Sequence, residues 1–281
     1  MKNLKTYSFL FAGLSALLFS ACTPESSDLD LAPAPEASFS IEPATQNNRY
    51  VVTNTTTGAF GSYWNVGDGY SKGEAQQTLF LPDVGTYDIS LVAVTAGGVD
   101  TATVQQIVVD TPDPVAGNLV AGSKMGEDAL DHWTVFTISG GVNIDLTDGK
   151  MVASGGGWGH AGLYQAIDVE AGKTYKFGAT VAGNGATDVW LETFFGSFAP
   201  SDGNDYSDGG NKIGLNTWNG CGNAPFSGNL AQIGCSGDLV GQNGEITFDQ
   251  SGTVYLVMKI GGADLGVGGI SIDNVELRGT E

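Results

Sequence analysis

Residues 158–181 read WGHAGLYQAIDVEAGKTYKFGATV. In the second half, Tyr175, Phe177, Ala179 and Val181 alternate with Thr174, Lys176, Gly178 and Thr180. That period of two lays one apolar face on a core and turns the other to solvent, so a half-buried strand is expected. Leu163, Gln165, Ile167 and Val169 form a second alternating run ahead of it, and Glu170–Lys173 joins the two as a turn with Gly172 available for positive φ. Ser154–Gly162 leads in as a glycine-rich loop that holds Trp158. An aromatic ring presented by such a loop raises the question of a ligand.

Working outward, the same pattern recurs. From Asn118 onward strands are expected around 133–138, 150–153, 163–169, 174–181, 188–195, 244–248, 253–260 and 268–277, about eight with long loops, which is the pattern of a β-jelly roll. Ile270 and Ile272 share a phase that Val275 and Leu277 do not, which a bulge at Asp273-Asn274 would explain. Upstream, short β runs at 39–41, 50–52, 63–66, 78–81, 86–94 and 101–109 have the spacing of a sandwich. Between the two lies TPDPVAG, residues 111–117, a linker stiffened by two prolines. Residues 22–36 mix Pro, Ser and acids without periodicity and form a flexible tether. No helical pattern of useful length is present. With 281 residues, 43 glycines, 41% hydrophobic and 15% charged, the chain is all-β with two domains.

Lys2 and Lys5 followed by apolar Phe9–Phe19 form a secretory signal, too short to span a bilayer stably. Ser20-Ala21-Cys22 closes it and resembles a lipobox, which implies cleavage after residue 21 and a lipidated Cys22; an unmodified signal-peptide cysteine is the alternative. If Cys22 carries lipid, Cys221 and Cys235 remain, in one loop-rich segment of an exported chain, and a disulfide is expected between them. Removal of residues 1–21, which hold two lysines and no acid, would take the net charge from −20 to −22. Such a field disfavours nucleic acid, sulfated glycans and uronate polymers and leaves neutral or cationic ligands open. Acidity also serves the solubility of an exported protein.

Two resemblances follow from ordered motifs. Tyr63-Trp-Asn-Val-Gly-Asp-Gly69, then Gly85-Thr-Tyr-Asp-Ile-Ser-Leu-Val-Ala-Val94 and Gly97-Gly98, resemble the polycystic-kidney-disease (PKD) domain family. This implies an immunoglobulin-like sandwich over 37–110 acting as a spacer, with Trp64 and Tyr87 in its core. Over 118–281 the order Asn118-Leu119, Trp133, Asp148-Gly149, Trp158, Tyr164-Gln165, Gly172–Tyr175, Val254–Val257 and Ile272–Leu277 resembles the jelly-roll (galactose-binding-like) carbohydrate-binding module families four, nine and twenty-two. That family often carries a structural calcium, for which the matching residues are Asp273 and, as the nearest candidate, Glu127. Asp273 closing a turn is the competing role.

Sugars present C–H faces and hydroxyl edges, so a binding groove needs flat aromatic rings with planar hydrogen-bonding groups around them. On the strand from Asp188, Val189 and Leu191 point one way while Trp190, Glu192 and Phe194 point the other. A tryptophan sharing a face with a glutamate suits a groove better than a core, although a covering loop could bury Trp190. Trp158 sits among glycines, which cannot bury it, with His160 beside it. Gly196–Cys235 reads as a long strandless loop carrying Tyr206 and Trp218. Asp202, Asn204, Asp205 and Asp208 invite a second calcium, but Tyr206 occupies the fifth position of an EF-hand spacing. Trp133, ahead of a Val, Phe, Ile run, is expected in the core.

Two histidines, with no G-x-S-x-G, no H-E-x-x-H and no nucleotide-binding glycine loop, leave little for catalysis. A glycosidase pair of carboxylates depends on spatial distance, which sequence does not give. The expectation is a non-enzymatic, lipid-anchored outer-membrane protein that resembles the surface glycan-binding lipoproteins accompanying outer-membrane glycan importers. The resemblance implies a neutral polysaccharide partner, a β-glucan, with laminarin-type β-1,3-glucan first and xylan or mixed-linkage glucan next. The competing class is an adhesion or structural protein with both domains as scaffold; a glycoside hydrolase is the lesser alternative.

Overall fold

A computed structural model describes residues 32–280. The signal segment, Cys22 and most of the tether lie outside the described residues.

The chain is built from antiparallel strands. The first eight are β1 (Phe39–Pro43), β2 (Arg49–Asn54), β3 (Ala59–Asn65), β4 (Ser71–Gly73), β5 (Gln76–Phe80), β6 (Gly85–Thr95), β7 (Gly98–Thr101) and β8 (Gln105–Val109). They are followed by β9 (Thr134–Ser139), β10 (Val142–Thr147), β11 (Lys150–Val169), β12 (Thr174–Gly183), β13 (Thr187–Gly196), β14 (Ile213–Asn216), β15 (Phe226–Asn229), β16 (Glu245–Thr247), β17 (Gly252–Asp264) and β18 (Ile270–Gly279). Among the described residues helix is confined to single turns, α1 (Ala129–His132), a 3₁₀ turn at Thr217–Asn219 and α2 (Leu230–Ile233).

The chain divides into two compact units. Of the described residues, one comprises those up to Ser40, Val52–Gln77 and Asp88–Gln105; the other comprises Ile41–Val51, Thr78–Tyr87 and those from Gln106 on. In the first unit, β3 pairs with β4 and β6, and β6 with β7. Trp64 is buried there, meets Phe39 edge-on at 5.5 Å and donates its indole N–H to Glu74 O at 3.0 Å. Asn65 Oδ1 accepts from Gly67 N and Gly69 N, shaping the N-V-G-D-G turn. Tyr87, in the second unit, is half-buried, and its hydroxyl donates to Asp83 O.

The second unit contains the jelly-roll sandwich. One layer runs β10–β11–β18–β12–β15, with β16 also on β12; the other runs β9–β11–β17–β13–β14. The 20-residue β11 belongs to both: Met151–Ala153 pairs with β18, and Gly159–Val169 pairs with β17. Between the layers Met151, Phe177, Val181 and Ile272 meet Leu163, Leu191, Met258 and Ile260, the apolar faces that the alternation marks. Phe177 and Phe195 touch edge to face across this core at 5.6 Å. Buried Gln165 bonds both ways to the backbone of Ala121, which fastens the start of the unit to β11.

Several expectations change here. Ser154–Gly162 is not a loop but the corner inside β11, where Gly155, Gly156, Gly157 and Trp158 all have positive φ and the register slips between Gly156 and Gly159. Only glycine fits at Gly156, because a Cβ would strike Ala263 O. Glu170–Lys173 does not close a hairpin, since β11 runs along β17 there and β12 along β18 and β16; the turn crosses between layers. The Gly196–Cys235 stretch holds β14, the 3₁₀ turn, β15 and α2. The V-N-I-D-L-T run of β10 adds a strand that the sequence reading passed over. The expected bulge is present: the three steps from Asp273 to Glu276 lie opposite the two steps from Thr180 to Gly178, with Asn274 at φ 46°.

Candidate functional site

On the outward face of the second layer the strand register lines up two rows. His160, Gly261, Trp190 and Asn216 fall opposite one another on β11, β17, β13 and β14; two residues along, so do Gly162, Lys259, Glu192 and Gly214. Side chains alternate along a strand, so these residues face away from the core residues Leu191 and Ile260 between them. The glycines clear the floor. A Cβ on Gly261 would collide with His160 Cβ and stand 2.8 Å from Trp190 Cζ2, so these two rings lean over Gly261 and meet edge-on at 5.8 Å.

Trp218 reaches this face from the 3₁₀ turn after β14. Asn216 caps that turn, its Oδ1 accepting Trp218 N at 3.0 Å and Asn219 N at 3.3 Å. The Cys221–Cys235 disulfide ties the residues just past the turn to the end of α2. Trp218 stacks on Trp190 at 6.2 Å and 26°, and on Trp158 at 6.4 Å and 21°. A ring inserted between two indoles would need two carbon contacts of ~3.5–4.0 Å each, more than either centroid spacing. The three tryptophans therefore act as one stack, and a ligand meets its outer faces and edges. Trp158 and Trp218 are 59% and 55% exposed, and such exposed aromatic patches mark interaction surfaces.

Beside the stack lies a cleft of about 340 Å³ lined by His160, Trp190, Glu192, Asp205, Asn216, Trp218 and Lys259. The Lys259 side chain is only 7% exposed, with Nζ 3.0 Å from Asp205 Oδ1, 2.9 Å from Tyr206 O and 3.2 Å from Glu192 Oε2. The ammonium also lies 5.2 Å from the Phe194 ring centroid. Burial pushes the Asp205 carboxyl up, but the hydrogen bond and charge of Lys259 and the Tyr206 N–H outweigh it and hold the group below the usual carboxylate range. Among the described residues, buried His160 Nδ1 has no hydrogen-bond partner.

Of the residues singled out from sequence, Trp158, Trp190, Trp218, His160 and Glu192 come together here. Tyr206 does not join them as a contact surface: it is buried, its hydroxyl donates to Phe198 O, and its ring packs with Phe194 and Phe198 under the 196–212 segment. Phe194 is likewise buried beside it. Trp133 is core, as expected. Asp202 and Asp208 are spent on the backbone N–H groups of Thr137 and Ser197. Asp273 Oδ1 accepts from Asn274 N within the bulge, and Glu127 is exposed on the segment before α1. Among the described residues no three His, Cys, Asp or Glu side chains converge as a metal cluster. Sequence reading missed Lys259, Asn216 and the partnership of Asp205. A lone lysine inside the apolar run Val254–Ile260 was the available signal.

No protein-family model matches the sequence, and no curated protein matches it. Solved structures similar to it include the enzymatically active domain of bacteriophage CBA120 tailspike protein 4 (19% identity, TM-score 0.38), to which 58% of this chain aligns and of which it spans 21%. Others are the carbohydrate-binding module TmCBM61 in complex with β-1,4-galactotriose (16%, TM-score 0.30, 58% of this chain and 99% of that one) and a CBM4 structure (16%, TM-score 0.29, 57% and 99%).

Proposed function

We propose that this chain is a non-catalytic glycan-binding protein that captures a neutral polysaccharide, a β-glucan of laminarin type or a related chain, at the tryptophan stack and its cleft. The observation that carries this reading is the convergence of Trp158, Trp190 and Trp218 from three separate elements into one exposed stack beside hydrogen-bonding side chains. Apolar ring faces next to fixed polar groups match the two-sided chemistry of a pyranose. In this reading Cys22 carries lipid in the outer membrane, the 37–110 domain is a spacer, and the bound glycan passes to an outer-membrane importer; a calcium at Asp273 and Glu127 would serve structure only. Affinity of roughly millimolar to micromolar, −4 to −8 kcal/mol, suffices when many copies hold one chain.

The carboxylates of Glu192 and Asp205 favour one second reading. Their bonded oxygens lie 3.2 and 3.0 Å from the same Nζ, hence at most 6.2 Å apart, compatible with the ~5–5.5 Å of retaining glycosidases. Such chemistry needs a carboxyl kept protonated, and Lys259 keeps Asp205 ionised. Titration of the protein against a panel of soluble neutral polysaccharides tests the proposal. Binding without release of reducing ends is expected. Absence of binding to every member sinks it in favour of a scaffold role, and release of reducing sugar establishes the hydrolase.

A further inference from the structure

The Lys259 ammonium donates to Asp205 Oδ1 and Tyr206 O and lies 3.2 Å from Glu192 Oε2 as an ion pair, so its charge is already matched within the site. Each carboxylate keeps a second oxygen, Glu192 Oε1 and Asp205 Oδ2, that no described residue engages. The Asp205 side chain is 63% and that of Glu192 26% exposed. Beneath the tryptophans, then, this wall of the cleft offers two carboxylate acceptors side by side. A ligand there has to donate two hydrogen bonds from one side.

We propose that Glu192 and Asp205, set by Lys259, are the specificity-determining residues of the glycan site and accept a pair of free neighbouring hydroxyls of one pyranose, so that the preferred ligand is a 1,4-linked neutral glycan. This rests on the glycan-capture reading and puts a 1,4-linked chain in place of the 1,3-linked, laminarin-type one. The oxygens held by Lys259, Glu192 Oε2 and Asp205 Oδ1, lie at most 6.2 Å apart, so the two carboxylates stand side by side with one further oxygen each. Hydroxyls on adjacent ring carbons can each reach one of them. A 1,4-linked chain keeps the hydroxyls on carbons 2 and 3 free on every internal residue. In a 1,3-linked chain the glycosidic oxygen stands between the remaining hydroxyls, and a free neighbouring pair survives only at the chain ends. Lys259 acts as a positioning residue: it also pins the Asp205–Tyr206 segment to the sheet. The same acceptors repel uronates, in keeping with the charge of the chain.

The test uses the exported chain, its Glu192→Gln and Asp205→Asn variants, and long soluble polymers, in which ends are negligible: a 1,4-linked mannan or xylan and a 1,3-linked β-glucan. The 1,4-linked polymer is also used after periodate oxidation and borohydride reduction, which cleave between neighbouring hydroxyl-bearing carbons. Expected are tighter binding of the 1,4-linked polymer, loss of that binding after periodate, and at least tenfold weaker binding by each variant with unchanged near-UV circular dichroism. Equal or tighter binding of the 1,3-linked polymer, or binding that survives periodate, overturns the inference while leaving glycan capture standing. So do variants that bind within twofold of the parent; should a variant lose its fold, the periodate arm decides. If the parent chain binds no neutral glycan at all, the wider reading falls as well.

Discussion

The indole of Trp218 stacks on that of Trp190 with ring centroids 6.2 Å apart, although one residue lies on a 3₁₀ turn and the other on β13. What brings them together is the pairing of Trp190 with Asn216, whose side chain caps the turn that carries Trp218. A strand register thus sets the position of a loop aromatic. Because both rings border the cleft, Trp190→Ala and Trp218→Ala should each weaken glycan binding by about 1–2 kcal/mol, five- to thirty-fold. Trp133→Ala, in the core, should instead lower stability by about 3–5 kcal/mol. Calorimetric titration beside urea unfolding separates the two outcomes, and binding untouched in both cleft variants would remove the stack from the site.

Trp158 is held at φ 66° in the corner of β11, a left-handed conformation that costs a residue with a Cβ about 1–2 kcal/mol. Trp158→Gly relieves that cost and Trp158→Ala does not. The glycine variant should therefore be more stable than the alanine variant by about 1 kcal/mol, while both bind glycan equally poorly. Matching urea midpoints for the two variants would mean that the corner is unstrained.

The strands and core of the jelly roll were legible because period-two alternation directly encodes which face is buried, as in Tyr175–Val181 and Val189–Leu191. The layer to which each run belongs was not, because alternation is silent about partners; hence Glu170–Lys173 was read as a hairpin when it crosses between layers. The glycines of 154–162 gave the correct suspicion about Trp158 for an incomplete reason. They signal a strand corner in which backbones approach too closely for a Cβ. The pairing of Lys259 with Asp205 escaped notice because the two meet across 54 residues of chain, and no local pattern marks such a pair. Tyr206 was misplaced on the surface because a loop aromatic that folds back onto Phe194 looks, in sequence, the same as one that points outward.

The Cys221–Cys235 bond closes a loop with a sequence separation of 14 that starts just past the turn carrying Trp218 and holds β15 and α2. Constraining the unfolded chain over a loop of that size stabilises by about 3 kcal/mol. The double replacement Cys221→Ser, Cys235→Ser should lower unfolding free energy by about that amount. It should also weaken binding beyond what stability explains, since the Asn216-capped turn loses its brace and the cost of ordering Trp218 falls on the ligand. Identical affinities for the parent and the fully folded double variant would assign the disulfide to stability alone.

Arg278 holds Asp83 through two bonds of 2.7 Å, while Asp83 Oδ1 also accepts from Asn118 N and Arg278 Nη1 donates to Ala116 O. The fork of guanidinium on carboxylate thereby fixes the backbone on both sides of Gly117. Burial raises the Asp83 carboxyl, but Arg278 and the Asn118 N–H together outweigh it and set it below the usual carboxylate range. A carboxyl depressed in the folded state contributes stability that is fully present above its unfolded pKa of ~3.9 and is lost as pH falls through the folded value. Both side chains are partly open to solvent, so about 1–3 kcal/mol is at stake rather than the value of a fully buried pair. Stability measured by urea unfolding between pH 6 and pH 2.5 should therefore fall less steeply in Asp83→Asn than in the parent, with the variant already weaker by this amount at pH 6. Parallel curves for parent and variant would show that Asp83 titrates alike in the folded and unfolded chain, and that the fork on Arg278 does not stabilise the fold.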